Sequence, residues 1–172
     1  MAVTFVVGGA RSGKSSFAEK LAQSLSSNVA YLATAQALDE EMEDRIKKHK
    51  IRRPQNWTTF EEPFFLANKV KQIQGRKFEV ILLDCLTLFI SNVLLKGVDF
   101  NNIDFNELLK REEIILNEIQ NMVNIIKDSS TNLIVVSNEI GLGLVPADTI
   151  SRVYRDIVGR ANQELAEQAT QV

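Results

Sequence analysis

The chain has a single cysteine, Cys85, among its 172 residues, and that scarcity excludes an intrachain disulfide framework. It also lacks any apolar run near the roughly 20 residues that a helix needs to cross a bilayer. No basic segment followed by an apolar one opens the sequence, because a glycine-rich stretch arrives too early for a signal peptide. We therefore expect a protein of the cytoplasm.

An excess of charge of one sign is missing too. The formal net charge is -2 and the pI is near 5.5, so no global positive field would attract nucleic acid or an anionic membrane surface. Any recognition of phosphate groups must then be local. A length of 172 residues with 45% hydrophobic content suits one globular domain, residues 1–172, with a sizeable core.

A β-branched apolar run opens the chain and leads directly into the phosphate-loop pattern G-x-x-x-x-G-K-[ST]. In such a loop glycines let backbone N–H groups close around phosphates, Lys14 reaches the β and γ oxygens, and the Ser15 hydroxyl binds Mg²⁺. The residues of the loop are Gly8, Gly9, Ala10, Arg11, Ser12, Gly13, Lys14 and Ser15. The pattern predicts binding of a nucleoside triphosphate, against the alternative of a chance glycine-rich turn, but does not indicate the reaction.

Short continuous apolar cores alternate with amphipathic segments along the whole sequence. The cores cover residues 3–7, 29–32, 80–83 and 133–136, and the helical patterns cover 16–25, 39–50, 63–73, 105–126 and 149–169. Strands buried on both faces of a parallel sheet have this form, whereas residues 97–104 read as a polar loop. We predict a doubly wound α/β fold of the P-loop NTPase type, with a mainly parallel sheet and helices on both faces.

An acid ends the third apolar core. Asp84 follows four aliphatic residues, which is the form of the carboxylate that holds Mg²⁺, directly or through water, beside a phosphate loop. Ser15 and Asp84 are therefore the predicted metal ligands. The alternative is an acid that caps a helix beginning near Thr87.

Two polar residues end the fourth core. Asn138 and Glu139 follow a buried strand at its carboxyl end, where open α/β sheets bind their ligands. A catalytic role and a glycine-rich turn with a capping Asn both remain open for this segment.

The single histidine lies near the end of a charged helix. Acids open residues 39–50 and bases close the segment, an order that suits the helix dipole. His49 belongs to the basic end, and Arg45 precedes it by one helical turn on the same face. Taken alone, a histidine at a helix end is typical of a solvated surface residue.

Five motifs in order resemble the bifunctional adenosylcobinamide kinase and adenosylcobinamide-phosphate guanylyltransferase family of cobalamin biosynthesis. They are the phosphate loop; Ala33, Thr34 and Ala35; Asp39, Glu41, Met42, Arg45, Ile46, His49, Arg53, Pro54 and Trp57; Asn138, Glu139, Gly141, Gly143, Val145 and Pro146; and Arg152, Tyr154, Arg155, Asp156, Ile157, Gly159, Arg160, Asn162 and Gln163. The resemblance spans nearly the whole chain, and several independent motifs are more specific than a phosphate loop alone.

The resemblance implies two successive reactions. The hydroxyl group of adenosylcobinamide is phosphorylated by ATP or GTP, and GMP from GTP is then transferred to adenosylcobinamide phosphate to give adenosylcobinamide-GDP. In the family the second step passes through a GMP-histidine intermediate, and the matching position is His49, which joins Lys14 as a catalytic residue. A neutral imidazole can attack the α-phosphorus while Mg²⁺ and nearby cations stabilise the departing pyrophosphate.

The same resemblance implies further nucleotide contacts beyond the phosphate loop. They are Thr34, Ala35, Gln36, Lys50, Ile51, Arg52, Arg53, Glu61 and Asp84. Glu61 has no independent support, since an acid before a helix opening at Pro63 is ordinarily a favourable first-turn charge, and Glu62 is easily confused with it.

The family is also trimeric. The helix predicted over residues 105–126 could supply an interface, although a core face explains its apolar stripe equally well. Family members continue into a further apolar strand, whereas this sequence stops at Val172, so we expect unpaired groups at one sheet edge.

Two other functions fit a phosphate loop. One is a small-molecule kinase without transferase activity, and the other is a binding protein that uses nucleotide occupancy as a switch. The three hypotheses differ in one observable, because only the bifunctional enzyme attaches GMP to His49.

Overall fold

Five parallel strands form the centre of the structure, a computed structural model that describes residues 2–100 and 102–172, with Arg45 described by its backbone alone. The strands alternate with helices along the described chain. In order, the elements are β1 (Val3–Gly8), α1 (Lys14–Leu25), β2 (Val29–Ala33), α2 (Glu40–Arg52), β3 (Thr58–Glu61), α3 (Leu66–Gln74), β4 (Val80–Asp84), α4 (Leu86–Leu95), α5 (Phe105–Lys127), β5 (Asn132–Asn138) and α6 (Thr149–Gln168).

The order of the strands in the sheet is β1-β5-β4-β2-β3, and all neighbours are parallel. The register places Gly8 opposite Asn138, and Asp84 opposite Val136 on one side and Ala33 on the other. The carboxyl ends of β1, β5, β4 and β2 therefore meet at one edge of the sheet. Strand β5 lies between the phosphate-loop strand and the strand that ends in Asp84.

The two faces of the sheet have separate hydrophobic cores. On one face Tyr31, Leu82 and Ile134 pack with Ala18 and Ala22 of α1. On the other face the alternate strand residues pack against α3, α4, α5 and α6, whose buried residues include Leu66, Phe89, Ile119 and Ile157. Helices on both faces and an all-parallel sheet confirm the predicted fold class.

Strand β3 was not predicted. It has four residues, lies at the edge of the sheet, and has no fully buried side chain, so the apolar pattern of the other strands is absent from it. The prediction of a helix opening at Pro63 is wrong by three residues, because α3 begins at Leu66. The Glu62 carboxylate accepts hydrogen bonds from the N–H groups of Phe64 and Phe65, at 3.0 and 3.1 Å, and holds that segment in a turn.

Helix α1 begins two residues earlier than predicted, so that Lys14 and Ser15 lie in its first turn. The other predicted boundaries agree to within two residues, whereas α4 had no predicted range beyond a possible start near Thr87. The predicted loop 97–104 falls between α4 and α5, where Asn101 lies outside the described residues. Asp104 caps α5 by accepting a hydrogen bond from the N–H of Asn106 at 2.9 Å.

The apolar stripe of α5 mostly faces the core. Leu108, Ile115, Ile119 and Met122 are buried against the sheet and α3, which supports the core alternative for this stripe, whereas Leu109 is 48% exposed.

Among the described helices, none combines the length and apolar character needed to cross a membrane.

The last residues of the chain lie along the outer edge of β1. Gln171 forms a parallel bridge with Thr4, and its carbonyl oxygen accepts a hydrogen bond from the N–H of Phe5 at 2.8 Å. Beyond these bonds, β1 has one hydrogen-bonded neighbour within the named strands, β5.

Candidate functional site

The phosphate loop connects β1 to the first turn of α1. Gly13 precedes the helix with a φ of 91°, a backbone conformation that favours glycine, and Arg11 has a φ of 58°. The Lys14 ammonium group donates a hydrogen bond to the carbonyl oxygen of Gly9 and therefore lies inside the loop. A helix N-terminus with its backbone N–H groups and a lysine form a site for anionic phosphate groups.

An open cleft of about 580 Å³ lies against this loop at the carboxyl edge of the sheet. Residues 10–16 line it together with side chains from α2, β4 and β5. Those side chains include Lys48, His49, Arg52, Asp84 and Asn138. The position agrees with the general location of ligands in open α/β sheets.

A smaller pocket of about 60 Å³ adjoins the cleft. Ser15, His49, Asp84 and Cys85 line both spaces, so they stand at the junction. The other residues of this inner pocket are Tyr31, Ala33, Ala35, Met42, Ile46, Lys50, Arg53, Glu61 and Leu88. Polar groups thus face one another across a partly apolar space, which is typical of small-molecule sites.

His49 is half-buried at this junction. Its burial lowers the pKa of the imidazole below the usual 6.5, and the charges of Arg52 and Arg53 lower it further, while the carboxylates of Asp84 and Glu19 oppose the shift. The imidazole is therefore mostly neutral near neutral pH and has a free electron pair on one ring nitrogen. This setting differs from the solvated surface expected of a lone histidine.

The cations of the basic end of α2 are engaged by carboxylates. The pairs are Lys47 with Glu43 at 2.8 Å, Lys48 with Asp44 at 2.5 Å, Lys50 with Glu61 at 2.8 Å, and Arg52 with Glu19 at 2.9 Å. The side chain of Arg45, which was expected to add to this charge, lies outside the described part of the chain. A polyphosphate bound beside these cations would compete with the carboxylates for them.

Asp84 ends β4 and is held by a tyrosine from the neighbouring strand. The hydroxyl group of Tyr31 donates to Asp84 Oδ2 at 2.7 Å, and burial, followed by the Asp84 charge, raises the pKa of this tyrosine well above its usual value. Tyr31 therefore remains a donor. The capping alternative for Asp84 is wrong, because Cys85 is the N-cap residue of α4 and makes no side-chain capping bond. The peptide bond between Asp84 and Cys85 is cis.

Tyr31 also organises the inner pocket. The Arg53 guanidinium carbon lies 3.4 Å from the centroid of the Tyr31 ring, and the Trp57 ring stacks on it at 6.5 Å between centroids. Its role was not predicted from the sequence. The available signal is a hydroxyl group inside an otherwise apolar buried strand, because such a group requires a hydrogen-bond partner.

The donor set at the junction fits Mg²⁺. Ser15 and Asp84 offer a hydroxyl and a carboxylate oxygen, the hard ligands that Mg²⁺ prefers. Among the described residues no group of three or more His, Cys, Asp or Glu could hold a metal ion. One or two protein oxygens are nevertheless sufficient where substrate phosphates complete the coordination.

The structure separates the roles of Glu61 and Glu62. Glu62 supplies the turn before α3, whereas Glu61 ends β3, lines the inner pocket and pairs with Lys50. From the sequence, Glu61 could have been an ordinary favourable charge before a helix. In the structure Glu62 has that position, and Glu61 does not.

Only some of the remaining predicted contacts line the cleft or the inner pocket. Ala35 lines the inner pocket, but Thr34 is fully buried and its hydroxyl bonds to the backbone N–H and C=O of Cys85 at 3.0 and 2.7 Å. Gln36 lines neither space, and Ile51 is 84% exposed on α2. Gly8 ends β1, and neither Gly8 nor Gly9 is among the residues that line the cleft.

Asn138 and Glu139 also have separate positions. Asn138 lines the cleft, and its Nδ2 donates to Thr87 Oγ1 at 2.8 Å. The Glu139 carboxylate accepts a hydrogen bond from the N–H of Gly141 and shapes the turn after β5. The sequence indicates Thr87 only as the start of a helix and does not predict its bond to Asn138.

The family model described as cobinamide kinase / cobinamide phosphate guanyltransferase matches residues 4–172 of the chain. The chain is also similar to curated bacterial proteins over nearly its whole length. It is 39% identical over 167 residues to the bifunctional adenosylcobalamin biosynthesis protein CobU of Escherichia coli strain K12, covering 97% of this chain and 91% of that protein.

Two further relatives have similar sequence identity and coverage. The bifunctional adenosylcobalamin biosynthesis protein CobP of Pseudomonas aeruginosa is 40% identical over 167 residues, with 97% of this chain and 88% of that protein covered. The CobU protein of Salmonella typhimurium is 38% identical over 167 residues, with 97% and 91% covered.

We predict that Tyr31→Phe lowers the free energy of unfolding by about 2 kcal/mol, because it removes a hydrogen bond to a charged carboxylate. Urea denaturation followed by circular dichroism measures this change. Tyr154→Phe is the matched control, since its hydroxyl donates to the neutral carbonyl of Thr87 at 3.1 Å. We expect a loss of about 1 kcal/mol there. Equal losses in the two variants would contradict the assignment of a charged acceptor to Tyr31.

Proposed function

Since the chain belongs to the cobinamide kinase / cobinamide phosphate guanyltransferase family, we propose that the cleft between the phosphate loop and His49 carries out both reactions of that family. The chain is a bifunctional enzyme of cobalamin biosynthesis. Its substrates in this proposal are adenosylcobinamide, adenosylcobinamide phosphate, GTP and ATP.

The position of His49 carries this proposal. The imidazole lines the same cleft as residues 10–16 of the phosphate loop, and it shares the junction with Ser15 and Asp84. A nucleotide whose phosphates occupy the loop would therefore be close to a neutral nucleophile. A kinase that transfers only the γ-phosphate needs no such group.

In the kinase reaction the loop binds and orients the phosphates. Backbone N–H groups of residues 10–16 and the Lys14 ammonium group would contact the β- and γ-phosphates, which spreads the charge that develops during transfer. Ser15 and Asp84 would hold Mg²⁺, which when bound neutralises part of the phosphate charge.

In the guanylyltransferase reaction the His49 electron pair would attack the α-phosphorus of GTP. A nitrogen–phosphorus bond forms, the bond from that phosphorus to the bridging oxygen breaks, and pyrophosphate leaves with the electron pair. A phosphate oxygen of adenosylcobinamide phosphate then attacks the same phosphorus and displaces His49. Burial of the imidazole favours this role, because it keeps the ring unprotonated.

We propose that the remaining nucleotide contacts come from both spaces and from the segments beside them. They are Gly8, Gly9, Ala10, Arg11, Ser12, Gly13, Thr34, Ala35, Gln36, Lys50, Ile51, Arg52, Arg53 and Glu61. The contacts beyond the loop with structural support are those that line one of the two spaces: Ala35, Lys50, Arg53 and Glu61 line the inner pocket, and Arg52 lines the cleft. Residues 1–172 would act as a single catalytic domain.

We also propose a homotrimer, as the family resemblance implies. Exposed apolar side chains on α5 support an assembly, since Leu109 and Ile114 are 48% and 52% exposed.

A cytoplasmic location suits an enzyme that consumes nucleoside triphosphates. The net charge of -2 gives no reason to expect nucleic acid as a partner.

Incubation of the protein with α-labelled GTP and a magnesium salt should produce a covalent GMP adduct on His49. The adduct should be acid-labile, because its nitrogen–phosphorus bond is a phosphoramidate. Intact-mass and peptide mass spectrometry detect it and locate it. We expect His49→Ala to abolish the adduct while the protein still binds GTP.

Lys47→Ala provides the matched control for that experiment. Lys47 is on the same helix and is exposed, but it lines neither space, so its removal should leave labelling unchanged. Absence of the adduct from folded, GTP-binding protein would reject the guanylyltransferase mechanism and leave the kinase-only or nucleotide-switch function.

The rate of GMP labelling should depend on pH in a defined direction. The folded pKa of His49 is below 6.5, so the imidazole remains unprotonated down to that pH and the rate should fall only at lower pH. Single-turnover labelling across a pH series measures the profile. A midpoint above 6.5 would contradict the effect of burial on His49.

Sedimentation equilibrium tests the proposed assembly. A homotrimer should have about three times the 19.3 kDa mass of one chain, independent of loading concentration over the measured range. A single species with the mass of one chain would reject the trimer without affecting the labelling experiment.

A further inference from the structure

We propose that Asn138 is a catalytic residue of the kinase reaction, in which its carboxamide oxygen accepts a hydrogen bond from the attacking hydroxyl group. That bond aims the hydroxyl oxygen of the acceptor alcohol at the γ-phosphorus of the nucleotide. The inference rests on the proposed function and deepens it, because it assigns a residue to one of the two reactions and not to the other.

The sheet places Asn138 beside the phosphate loop. Strand β5 lies between β1 and β4, and the register sets Asn138 opposite Gly8, where the loop begins. Asp84 is opposite Val136, so Asn138 extends two residues further toward the carboxyl edge. A polar side chain at this position lines the cleft between the loop and the proposed metal ligand.

Thr87 fixes the direction of the amide. Asn138 Nδ2 donates to Thr87 Oγ1 at 2.8 Å, and Thr87 is almost completely buried at the start of α4. The Cys85 sulfur lies 3.1 Å from the same hydroxyl oxygen. This bond uses one of the two N–H donors of the amide and fixes the amide plane, so that the carboxamide oxygen is directed away from Thr87 and is the acceptor that we assign to the substrate hydroxyl.

The backbone of Asn138 is held from the opposite side. Asn162 Nδ2 on α6 donates to the carbonyl oxygen of Asn138 at 3.1 Å, and Asn162 Oδ1 accepts from the buried hydroxyl of Ser137 at 2.7 Å. Hydrogen bonds from two helices therefore support the residue. A polar group held in this way can orient a reactant with little loss of entropy during binding.

The chemistry gives Asn138 a role in orientation and not in proton removal. The hydroxyl oxygen forms a bond to the γ-phosphorus, the bond to the β–γ bridging oxygen breaks, and the nucleoside diphosphate leaves with that electron pair. The hydroxyl proton passes to an oxygen of the transferred phosphoryl group, because an amide is too weak a base to take it. The attack of His49 on the α-phosphorus involves no hydroxyl group and does not need Asn138.

Asn138→Ala should therefore separate the two reactions. With saturating substrates we expect kcat for phosphorylation of adenosylcobinamide to fall about 100-fold, because the hydroxyl is no longer aimed. Labelling of His49 by α-labelled GTP should stay within about threefold of the unaltered protein. Glu139→Gln is the matched control, since this neighbour shapes the turn without lining the cleft, and it should change neither rate.

Thr87 acts through Asn138 and is a positioning residue. Thr87→Val keeps the volume of the side chain but removes the hydroxyl, and we expect the kinase kcat to fall about tenfold with the KM for nucleotide unchanged. Thr87→Ser keeps the hydroxyl and should restore the rate. This pair tests the inference even if Asn138→Ala does not fold.

Three results would overturn the inference: equal losses of both reactions in folded Asn138→Ala, no loss of the kinase rate, or a loss of labelling alone. Failure of Thr87→Ser to restore the kinase rate that Thr87→Val loses would also overturn it. If the unaltered protein forms no adduct, the proposed function fails in its transferase half. The kinase rates of the variants then still decide the role of Asn138.

Discussion

Parallel pairing of the strands is the constraint on which the site depends. Because β1, β5, β4 and β2 run in one direction and in register, the residues that end them meet at a single edge. The phosphate loop, Asn138 and Asp84 come from distant parts of the sequence and become neighbours through this pairing alone. An antiparallel strand at any of these places would carry its final residue to the opposite edge. The sheet thus fixes the polar groups, and the helix N-terminus of α1 adds the anion site.

Around His49, burial and the nearby carboxylates shift the pKa of the imidazole in opposite directions. Removal from water disfavours the imidazolium, whereas Asp84 and Glu19 favour it, and burial is the largest influence on the pKa. Glu19 is at the same time engaged by Arg52 through two hydrogen bonds of 3.0 and 2.9 Å, and Arg52 opposes its effect. The result is a mostly neutral imidazole among many charges, as the proposed nucleophile requires.

Sequence patterns were sufficient for the parts of the molecule with strong local signals. The phosphate loop has a specific residue pattern, four strands have apolar runs and five helices have regular periodicity, and the structure confirms these elements. Helix α4 had no predicted range, because it is apolar on most sides and has no clear helical stripe. Strand β3 was missed because an exposed edge strand of four residues has no apolar run, and its existence depends on the pairing of Thr58–Glu61 with β2. The contact of Tyr31 with Asp84 and the support of Asn138 by Thr87 were missed for another reason. Both join residues more than 50 positions apart, so no spacing in the sequence reveals them.

In our proposal one cleft serves two reactions, and the two ends of a bound triphosphate explain how. A loop that holds the central phosphate presents the α- and γ-phosphorus atoms on opposite sides of it. His49 stands at the junction with the inner pocket, whereas Asn138 stands beside the first residue of the loop. A nucleophile built into the protein suits the α-phosphorus, because the intermediate must wait for a second substrate. A nucleophile from the substrate suits the γ-phosphorus, because the phosphoryl group needs no intermediate carrier. In our proposal the same bound nucleotide can therefore react at either end, and the occupant of the acceptor side decides which reaction follows.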